Sequence, residues 1–270
     1  LGDVYKRQIN KGFSGMSHLM KNYGRLPVSF DHGQGVWLWD KEGHKYLDAL
    51  AGIAVNSVGH AHPRLVRAIA DQASKLIHCS NYFNIDLQEQ VAEKLVEHSG
   101  LEAVFFCNSG LEANECAIKI ARKFGHAKGI EVPNIIVLKH AFHGRSIATL
   151  SATGNPSVRA DFSPYTEGFI FVDESDLDGI RKIVEENKNV VAIFFEPILG
   201  EGGVVPIDLS VIKGIREICD EHDLLMMCDE VQCGMGRSGK WFAHQWAEIK
   251  PDVITMAKGL AGGVPVGAVI

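Results

Sequence analysis

The sequence predicts an α/β fold in which a mostly parallel sheet carries helices on both faces. Six short apolar runs are rich in Val, Ile and Phe and lack the alternation of a half-solvated strand, which is typical of strands buried on both faces of a parallel sheet. Stretches of helical character separate several of these runs, and such alternation indicates a doubly wound domain. The runs are residues 103–107, 135–138, 168–172, 190–195, 224–228 and 253–256.

The remaining elements follow from local patterns. Residues 35–47 are predicted to form a β-hairpin, since apolar and aromatic residues alternate before a turn at 41–43. A helix is predicted after Pro63, because apolar residues recur on one face at helical spacing up to Leu76. The helices predicted between the apolar runs are residues 111–124, 177–186 and 209–222.

Composition and charge exclude several classes of protein. Among the 270 residues, 46% are hydrophobic and 22% charged, as in an ordinary globular protein. The formal net charge of −6 is not the basic footprint of a nucleic-acid-binding domain, and no apolar run approaches the roughly 20 residues that span a bilayer. The six cysteines form no CxxC pair, which favours a reduced, cytoplasmic setting, and no zinc spacing appears, so no metal is expected.

Ligands bind at the carboxyl ends of the strands in such a sheet, so the residues after each run are candidates. After residues 103–107, the N–H groups of Gly110 and Leu111 open a helix and favour an anion such as phosphate. Ser109 and Glu112 also fit a helix capping box, and both interpretations can hold at once.

Two other strand ends carry an acid and a base. Asp229 follows residues 224–228 and can pair with a cationic ligand group, with a solvated strand-end carboxylate as the alternative. Lys258 follows residues 253–256 among small residues and can form a Schiff base with a carbonyl cofactor, with a solvated loop lysine as the alternative. An anion site, a carboxylate and a lysine together are what pyridoxal phosphate requires, which makes it the predicted cofactor.

The loop after residues 135–138 adds an aromatic ring and a cation. Phe142 can stack on a flat cofactor ring, or it can belong to the core. Arg145 can bind a substrate carboxylate through two parallel hydrogen bonds.

A glycine-rich segment at 234–240 matches two nucleotide motifs without their context. Residues 234–239 fit GxGxxG, and Lys240 completes GxxxxGK. Position 241 is Trp, so no hydroxyl is available for magnesium, and the glycines do not join a strand directly to a helix. A glycine-rich loop is therefore favoured over a nucleotide-binding site.

At these residues the chain resembles the class III, pyridoxal-phosphate-dependent aminotransferases of fold type I. The resemblance runs from about Tyr23 to Ile270. It implies a large domain like that of aspartate aminotransferases, and a homodimer with shared active sites. Six blocks in family order carry it: residues 52–63, 108–115, 142–145, 196–203, 229–232 and 258–263.

The resemblance implies a role for each candidate residue. Lys258 would hold the cofactor as a Schiff base and then move the substrate proton, and Asp229 would keep the pyridine nitrogen protonated. Arg145 would bind the α-carboxylate of the amino donor, and Glu201 resembles the switch residue that releases a C-terminal Arg for 2-oxoglutarate. The remaining contacts would be the phosphate with Ser109, Gly110 and Leu111, the ring faces with Phe142 and Val231, and the phenolic oxygen with Gln232.

Within the family, three short stretches are most similar to members that act on N2-acetyl-L-ornithine: residues 52–55, 141–146 and 200–204. This implies transfer of the terminal δ-amine to 2-oxoglutarate, giving N-acetylglutamate 5-semialdehyde and glutamate in arginine biosynthesis. The alternatives are another ω-aminotransferase acting on ornithine, 4-aminobutyrate or succinylornithine, a nucleotide-binding protein, and an inert cofactor-binding fragment.

The resemblance also sets the expected domain organisation. Residues 1–15 are expected to be a leader outside the fold, 16–60 to belong to the small domain, and 61–270 to form an incomplete large domain. The C-terminal part of the small domain is expected to be absent, so this chain alone is expected to be inactive. Leu111 replaces a small residue or Thr, and Leu199 replaces a Gln, which is expected to alter the pocket near Glu201.

Overall fold

The structure is a computed structural model that describes residues 18–270, so the expected leader at 1–15 lies outside the described residues. The chain divides into two compact units, with the boundary between Ile77 and His78. The assignment of residues 16–60 to a small domain and of 61–270 to a large domain stays a prediction.

The first unit contains a three-stranded antiparallel sheet and confirms the predicted hairpin. Its strands are β1 (Phe30–Gln34), β2 (Trp37–Asp40) and β3 (Lys45–Leu47), and its helices are α1 (Ala51–Ala54) and α2 (Pro63–Ala73). The turn between β2 and β3 is closed by Asp40, whose carboxylate accepts the backbone N–H groups of Glu42 and His44 at 3.0 and 2.8 Å. Pro63 suits the start of α2 because the first helical N–H has no intrahelical acceptor to lose.

The second unit is built on a seven-stranded sheet and a separate two-stranded hairpin. The strands of this unit are β4 (Phe105–Cys107), β5 (Asn134–Leu138), β6 (Phe169–Val172), β7 (Val190–Phe195), β8 (Ile198–Leu199), β9 (Val205–Pro206), β10 (Leu225–Asp229), β11 (Val253–Met256) and β12 (Gly267–Val269). The large sheet has the order β4-β12-β11-β10-β7-β5-β6, and β8 pairs with β9. All pairs from β11 to β6 are parallel, whereas β12 is antiparallel to both of its neighbours. The predicted mostly parallel sheet is confirmed.

Helices cover both faces of this sheet. They are α3 (Asp86–Ser99), α4 (Gly110–Ala127), α5 (Ile147–Ala152), α6 (Pro156–Arg159), α7 (Leu177–Glu186) and α8 (Leu209–His222), with 3-10 turns at Ala243–Ala247 and Lys258–Ala261. Along β7, Ile193 and Phe195 pack with α7 and α8, whereas Ala192 and Phe194 pack with α4. Alternate residues of the same strand are thus buried on opposite faces, which explains why the strand sequence shows no alternation.

The first predicted strand of the sheet departs from this pattern. Phe105 in β4 is 53% exposed, so the prediction that this strand is buried on both faces is wrong. The physical reason is its place at the end of the strand order, where its one neighbour in the sheet is β12. Among residues 18–270, no helix combines the length and the apolar character that a membrane span requires.

Candidate active site

The candidate residues meet at one edge of the large sheet. Parallel strands share their carboxyl edge, and β4 has the same direction as β11 because each runs antiparallel to β12. Asp229 is the last residue of β10, and Glu196 and Lys258 follow the ends of β7 and β11. This edge is where ligands bind in open α/β sheets.

Asp229 is a buried carboxylate that accepts three hydrogen bonds. Its Oδ2 atom lies 2.8 Å from both Asn114 Nδ2 and His143 Nδ1, and its Oδ1 atom accepts the backbone N–H of Val231 at 3.0 Å. Among the described residues, neither a lysine nor an arginine forms an ion pair with it. The alternative of a solvated strand-end carboxylate is therefore wrong.

His143 and Asn114 fix this carboxylate from two different elements. Asn114 lies on α4, and its Nδ2 atom also donates to the backbone carbonyl of His143 at 2.8 Å. The His143 ring stacks on Phe194 with a centroid separation of 4.1 Å. Both side chains keep one buried polar atom without a protein partner, Oδ1 of Asn114 and Nε2 of His143.

The amino end of α4 forms the anion-binding end of the site. Ser109 is the N-cap, and its hydroxyl accepts the N–H of Glu112 at 3.2 Å. Glu112 reaches back to the N–H of Asn108 at 2.6 Å, so the predicted cap forms with Asn108 in place of Ser109 as the returning donor. Because the first helical N–H groups have no intrahelical acceptor, those of Gly110 and Leu111 remain for a ligand.

Gly110 is required here by a close approach rather than by an unusual backbone angle. A Cβ atom at this position would lie 2.6 Å from Cγ1 of Val231 and 3.4 Å from Cβ of Ala257. The amino end of α4 thus packs directly on the residues that follow β10 and β11. The absence of a side chain brings the anion end and the Asp229 end of the site together.

Lys258 opens a 3-10 turn after β11 with a left-handed φ of 38°. Its side chain is half-buried, so the alternative of a freely solvated lysine is wrong. Burial lowers the pKa of its amine, although the carboxylates of Glu201, Asp229 and Glu196 act in the opposite direction. A lowered pKa raises the fraction of neutral amine, which is the nucleophilic form.

Phe142 and Arg145 lie in the loop between β5 and α5. Phe142 is half-buried, Arg145 is exposed, and the guanidinium carbon lies 5.9 Å from the ring centroid. The backbone N–H of Phe142 donates to Oε1 of Glu196 at 2.8 Å. The loop is therefore anchored to the end of β7, while Arg145 is free to reach a ligand.

Glu196 is buried beside Asp229 and has a perturbed titration. Its Oε2 atom accepts the N–H of Gly200 at 3.0 Å, in addition to the bond from Phe142. Burial, reinforced by the charge of Asp229, raises the pKa of Glu196 to about 7, although His143 and the two N–H donors oppose the shift.

The turn between β8 and β9 carries Glu201, which is exposed. A Cβ atom at Gly200 would lie 2.1 Å from Oε1 of Gln232, so the Gln232 amide packs directly on this backbone. Leu199 is fully buried in the core cluster beneath the turn. This burial explains how an apolar side chain is accommodated where the family pattern has Gln.

The glycine-rich segment at 234–240 forms turns, and neither a strand nor an α-helix adjoins it as a nucleotide motif requires. The N–H of Gly234 donates to the Glu230 carbonyl at 3.0 Å, and the fully buried Glu230 carboxylate accepts the N–H groups of Ala243 and His244 in the following 3-10 turn at 2.8 Å. The His244 ring lies 3.0 Å from the same carboxylate. The segment is a structural loop.

Three residues of this site are not predicted from the sequence: Asn114, His143 and Glu196. Each lies inside a block that the sequence singles out, but none has a spacing that marks it as functional. Their positions in the sequence are the one signal that could have indicated two of them. Glu196 directly follows six consecutive apolar residues, and Asn114 lies next to Ala113 and near Ala117 on the buried face of α4. A polar residue in such a place must find a partner.

Comparisons with known proteins agree with this geometry. The family model described as aminotransferase class-III matches residues 19–270. The acetylornithine aminotransferase of Nitrosomonas europaea is 54% identical over 253 residues, which cover 94% of this chain and 64% of the relative. The acetylornithine aminotransferase of Synechocystis is 49% identical and is covered over 61% of its length. The chain thus spans less than two thirds of these curated relatives.

Solved structures give the same result for the fold. An ornithine aminotransferase from Toxoplasma gondii superposes with a TM-score of 0.89 at 34% identity, over 94% of this chain and 61% of that one. The N-acetylornithine aminotransferase from Stenotrophomonas maltophilia superposes with a TM-score of 0.79 at 40% identity, over 92% and 62%. The resemblance predicted from the six sequence blocks is confirmed.

Proposed function

Because the chain belongs to the class III aminotransferases, we propose that the full-length protein transfers the δ-amine of N2-acetyl-L-ornithine to 2-oxoglutarate. The relatives at 44–54% identity are named acetylornithine aminotransferases, which supports this donor. The reaction would serve arginine biosynthesis in the cytoplasm. We also propose a homodimer, with residues 16–60 in its small domain and 61–270 in its large domain.

The family uses pyridoxal 5′-phosphate, and the residues present fit this group. The observation that carries the proposal is Asp229, a buried carboxylate with three hydrogen-bond donors and no lysine or arginine partner among the described residues. A cationic ligand group would stabilise the charge of such a buried carboxylate, and a protonated pyridine nitrogen is such a group. When bound, the cofactor supplies an aldehyde that bonds to amines and a ring that withdraws electrons.

The anion end and the ring faces complete the binding site. The N–H groups of Gly110 and Leu111 would bind the phosphate at the start of α4, and the Ser109 hydroxyl would donate its hydrogen to it. Phe142 and Val231 would contact the two faces of the ring. Gln232 would donate a hydrogen bond to the phenolic oxygen from its place on the Gly200 backbone.

Lys258 would transfer the substrate proton, and Asp229 would keep the ring nitrogen protonated. Lys258 would bond to the cofactor aldehyde, and after displacement its amine would carry the proton between the two carbon atoms that exchange it. Burial supports this role because it holds part of the amine in the neutral, proton-accepting form. Asp229 would hold the proton on the pyridine nitrogen throughout.

Arg145 and Glu201 would distinguish the amino donor from the acceptor 2-oxoglutarate. Arg145 is exposed beside Phe142 and would bind the α-carboxylate of the donor, at the far end of the chain from the reacting amine. Glu201 would pair with an arginine of the full-length protein, and would release it for 2-oxoglutarate.

The two half-reactions of the full-length protein test this proposal. A panel of N-acetylornithine, ornithine, succinylornithine and 4-aminobutyrate is offered in single turnover, and loss of the lysine-bound cofactor absorbance is followed. We expect the highest kcat/KM for N-acetylornithine. Ornithine is the second candidate donor, because a structure named ornithine aminotransferase superposes with a TM-score of 0.89. A preference for ornithine would replace the proposed donor, and no covalent cofactor at all would refute both.

A further inference from the structure

Glu196 is a buried acid to which the proposed chemistry assigns no role. It lies at the carboxyl end of β7 and is 4% exposed. Each carboxylate oxygen accepts a backbone N–H from a different loop, Oε1 from Phe142 and Oε2 from Gly200. A single side chain therefore joins two loops that are 54 and 4 residues away in the sequence.

Both loops carry residues of the candidate site. Phe142 itself would contact the cofactor ring, and Arg145 lies three residues further on. Gly200 precedes Glu201, and its backbone is so close to the Gln232 amide that no Cβ atom fits between them. Movement of the Glu196 carboxylate would therefore displace both Phe142 and the Gly200 backbone that packs on Gln232.

The charge of Glu196 depends on its neighbours. The titratable groups that face it are Asp229 at the end of β10, His143 in the loop after β5, and Lys258 after β11. Asp229 disfavours the ionised form of Glu196 while its own charge is not balanced by a cation. A protonated pyridine nitrogen against Asp229 supplies that balance and favours ionisation of Glu196.

The ionised form is the better acceptor for both loops. A carboxylate offers strong lone pairs on both oxygen atoms, whereas a neutral carboxyl group has one good acceptor and one hydroxyl that donates. Hydrogen bonds from N–H groups to a charged acceptor are about twice as strong as neutral ones.

We propose that Glu196 is a positioning residue that loses its proton when the cofactor binds, and that its carboxylate then holds the Phe142 loop at the cofactor ring and the Gly200 turn against Gln232. This inference rests on the proposed function, because it requires a cofactor with a protonated ring nitrogen at Asp229. It assigns Glu196 no contact with the reacting atoms.

The first test is amide hydrogen exchange in the cofactor-loaded full-length protein. In Glu196→Gln, the amide NH₂ group must face one of the two N–H donors, so we expect exchange at Phe142 or Gly200 to accelerate about tenfold or more. The matched control is Glu221→Gln on α8, which changes the same residue type in an exposed ion pair with Arg181 of α7. Unchanged exchange at both amides would overturn the proposal.

The second test measures protons. Pyridoxine 5′-phosphate lacks the aldehyde, so its binding involves no bond to Lys258, and calorimetry in two buffers of different ionisation enthalpy counts the protons released. Near pH 7 we expect the parent protein to release more protons than Glu196→Gln, and the difference to shrink at pH 5 and pH 9. Equal release at every pH would overturn the proposal.

A second variant and the turnover of the protein distinguish the remaining outcomes. If Glu196→Gln does not fold, Glu196→Asp keeps the charge and shortens the reach, so it should retain the proton release and lose the exchange protection; the opposite pattern would overturn the proposal. If the parent protein turns over normally and Glu196→Gln alters neither the amide exchange nor the proton release, the proposed function stands and this inference is refuted. If the parent protein does not bind the cofactor, the proposed function itself is refuted.

Discussion

The imidazole of His143 lies 2.8 Å from the carboxylate of Asp229, measured from Nδ1 to Oδ2, and both side chains are buried. Because a carboxylate only accepts, Nδ1 of His143 donates this hydrogen bond. The stack on Phe194 and the bond from Asn114 to the His143 carbonyl fix the ring and the loop. Asp229 is thus held in one orientation by protein groups alone, which is the preorganisation that electrostatic catalysis requires.

Replacing Lys258 by Ala should separate cofactor binding from catalysis. The anion end and Asp229 are untouched, so we expect the full-length variant to retain the cofactor without the absorbance of the lysine-bound form. Turnover should fall at least about a thousandfold, because positioned proton transfer alone contributes roughly 10²–10⁴. Lys240→Ala is the control, since Lys240 bonds to the Gln245 carbonyl in the glycine-rich loop. Undiminished turnover in Lys258→Ala would end the assignment.

Replacing Asp229 by Asn should lower turnover far more than cofactor affinity. A neutral amide cannot hold the proton on the ring nitrogen, and loss of a positioned charge in a dry site costs roughly a hundredfold or more in rate. Steady-state kinetics and cofactor titration of the full-length variant measure the two effects. Asp178→Asn, on an exposed helix turn, is the control. Activity within a few-fold of the parent would make Asp229 a structural carboxylate.

Replacing Arg145 by Lys should damage the two half-reactions unequally. Lys keeps the charge but loses the planar fork that binds a carboxylate bidentately. We expect KM for N-acetylornithine to rise strongly and the cofactor spectrum to stay unchanged. The half-reaction with 2-oxoglutarate should suffer less, because Arg145 is proposed to bind the donor. Single-turnover measurements give the rate of each half-reaction. An equal loss of rate in both half-reactions would show that Arg145 also binds the acceptor.

Replacing Gly110 by Ala should destabilise the protein and weaken phosphate binding. The added Cβ atom would lie 2.6 Å from Val231, so either the start of α4 or the turn after β10 must move. Overpacking of this kind costs about 1–3 kcal/mol. Urea unfolding of the cofactor-free protein and titration with inorganic phosphate measure the two losses. Gly24→Ala has open space around its Cβ and should behave like the parent.

The cofactor-free protein should lose stability as the pH rises through the titration of Glu196. The pKa of this carboxyl group is about 7 in the fold against an ordinary value of 4.5, so the native state holds a proton that the unfolded state releases first. Stability from this group is therefore highest below pH 4.5 and falls by about 3 kcal/mol up to pH 7. The free energy of unfolding, measured with urea across this pH range, should fall in the parent and not in Glu196→Gln. The same dependence on pH in both proteins would contradict the prediction.

The accuracy of the sequence predictions follows from how each element is stabilised. The bounds of β7, β11, α7 and α8 match the predicted ranges residue for residue, because their apolar pattern alone decides where they are buried. The predicted strand at 103–107 is shortened to β4, since its exposed edge depends on where β12 inserts. Edge and centre cannot be told apart from a short apolar run.

In the candidate site too, residues with a local signal are predicted from the sequence, and residues that depend on long-range contacts are not. Lys258, Asp229 and Gly110 are found because each follows an apolar run and has a distinctive chemistry. Glu196 and His143 are missed because their importance lies in contacts between residues 54 and 86 positions apart in the sequence. Such contacts exist only once the strands have been ordered in the sheet.

The insertion of β12 between β4 and β11 also fixes when the site can form during synthesis. Ala268 pairs with Phe106, and a Cβ atom at Gly267 would lie 2.2 Å from the Ser109 carbonyl. The strand that supports the phosphate end is therefore translated about 160 residues after it, and long-range pairing of this kind forms slowly. A ribosome-bound chain that has not yet exposed residue 267 lacks this support, so we expect the anion-binding end of the site to form late in synthesis.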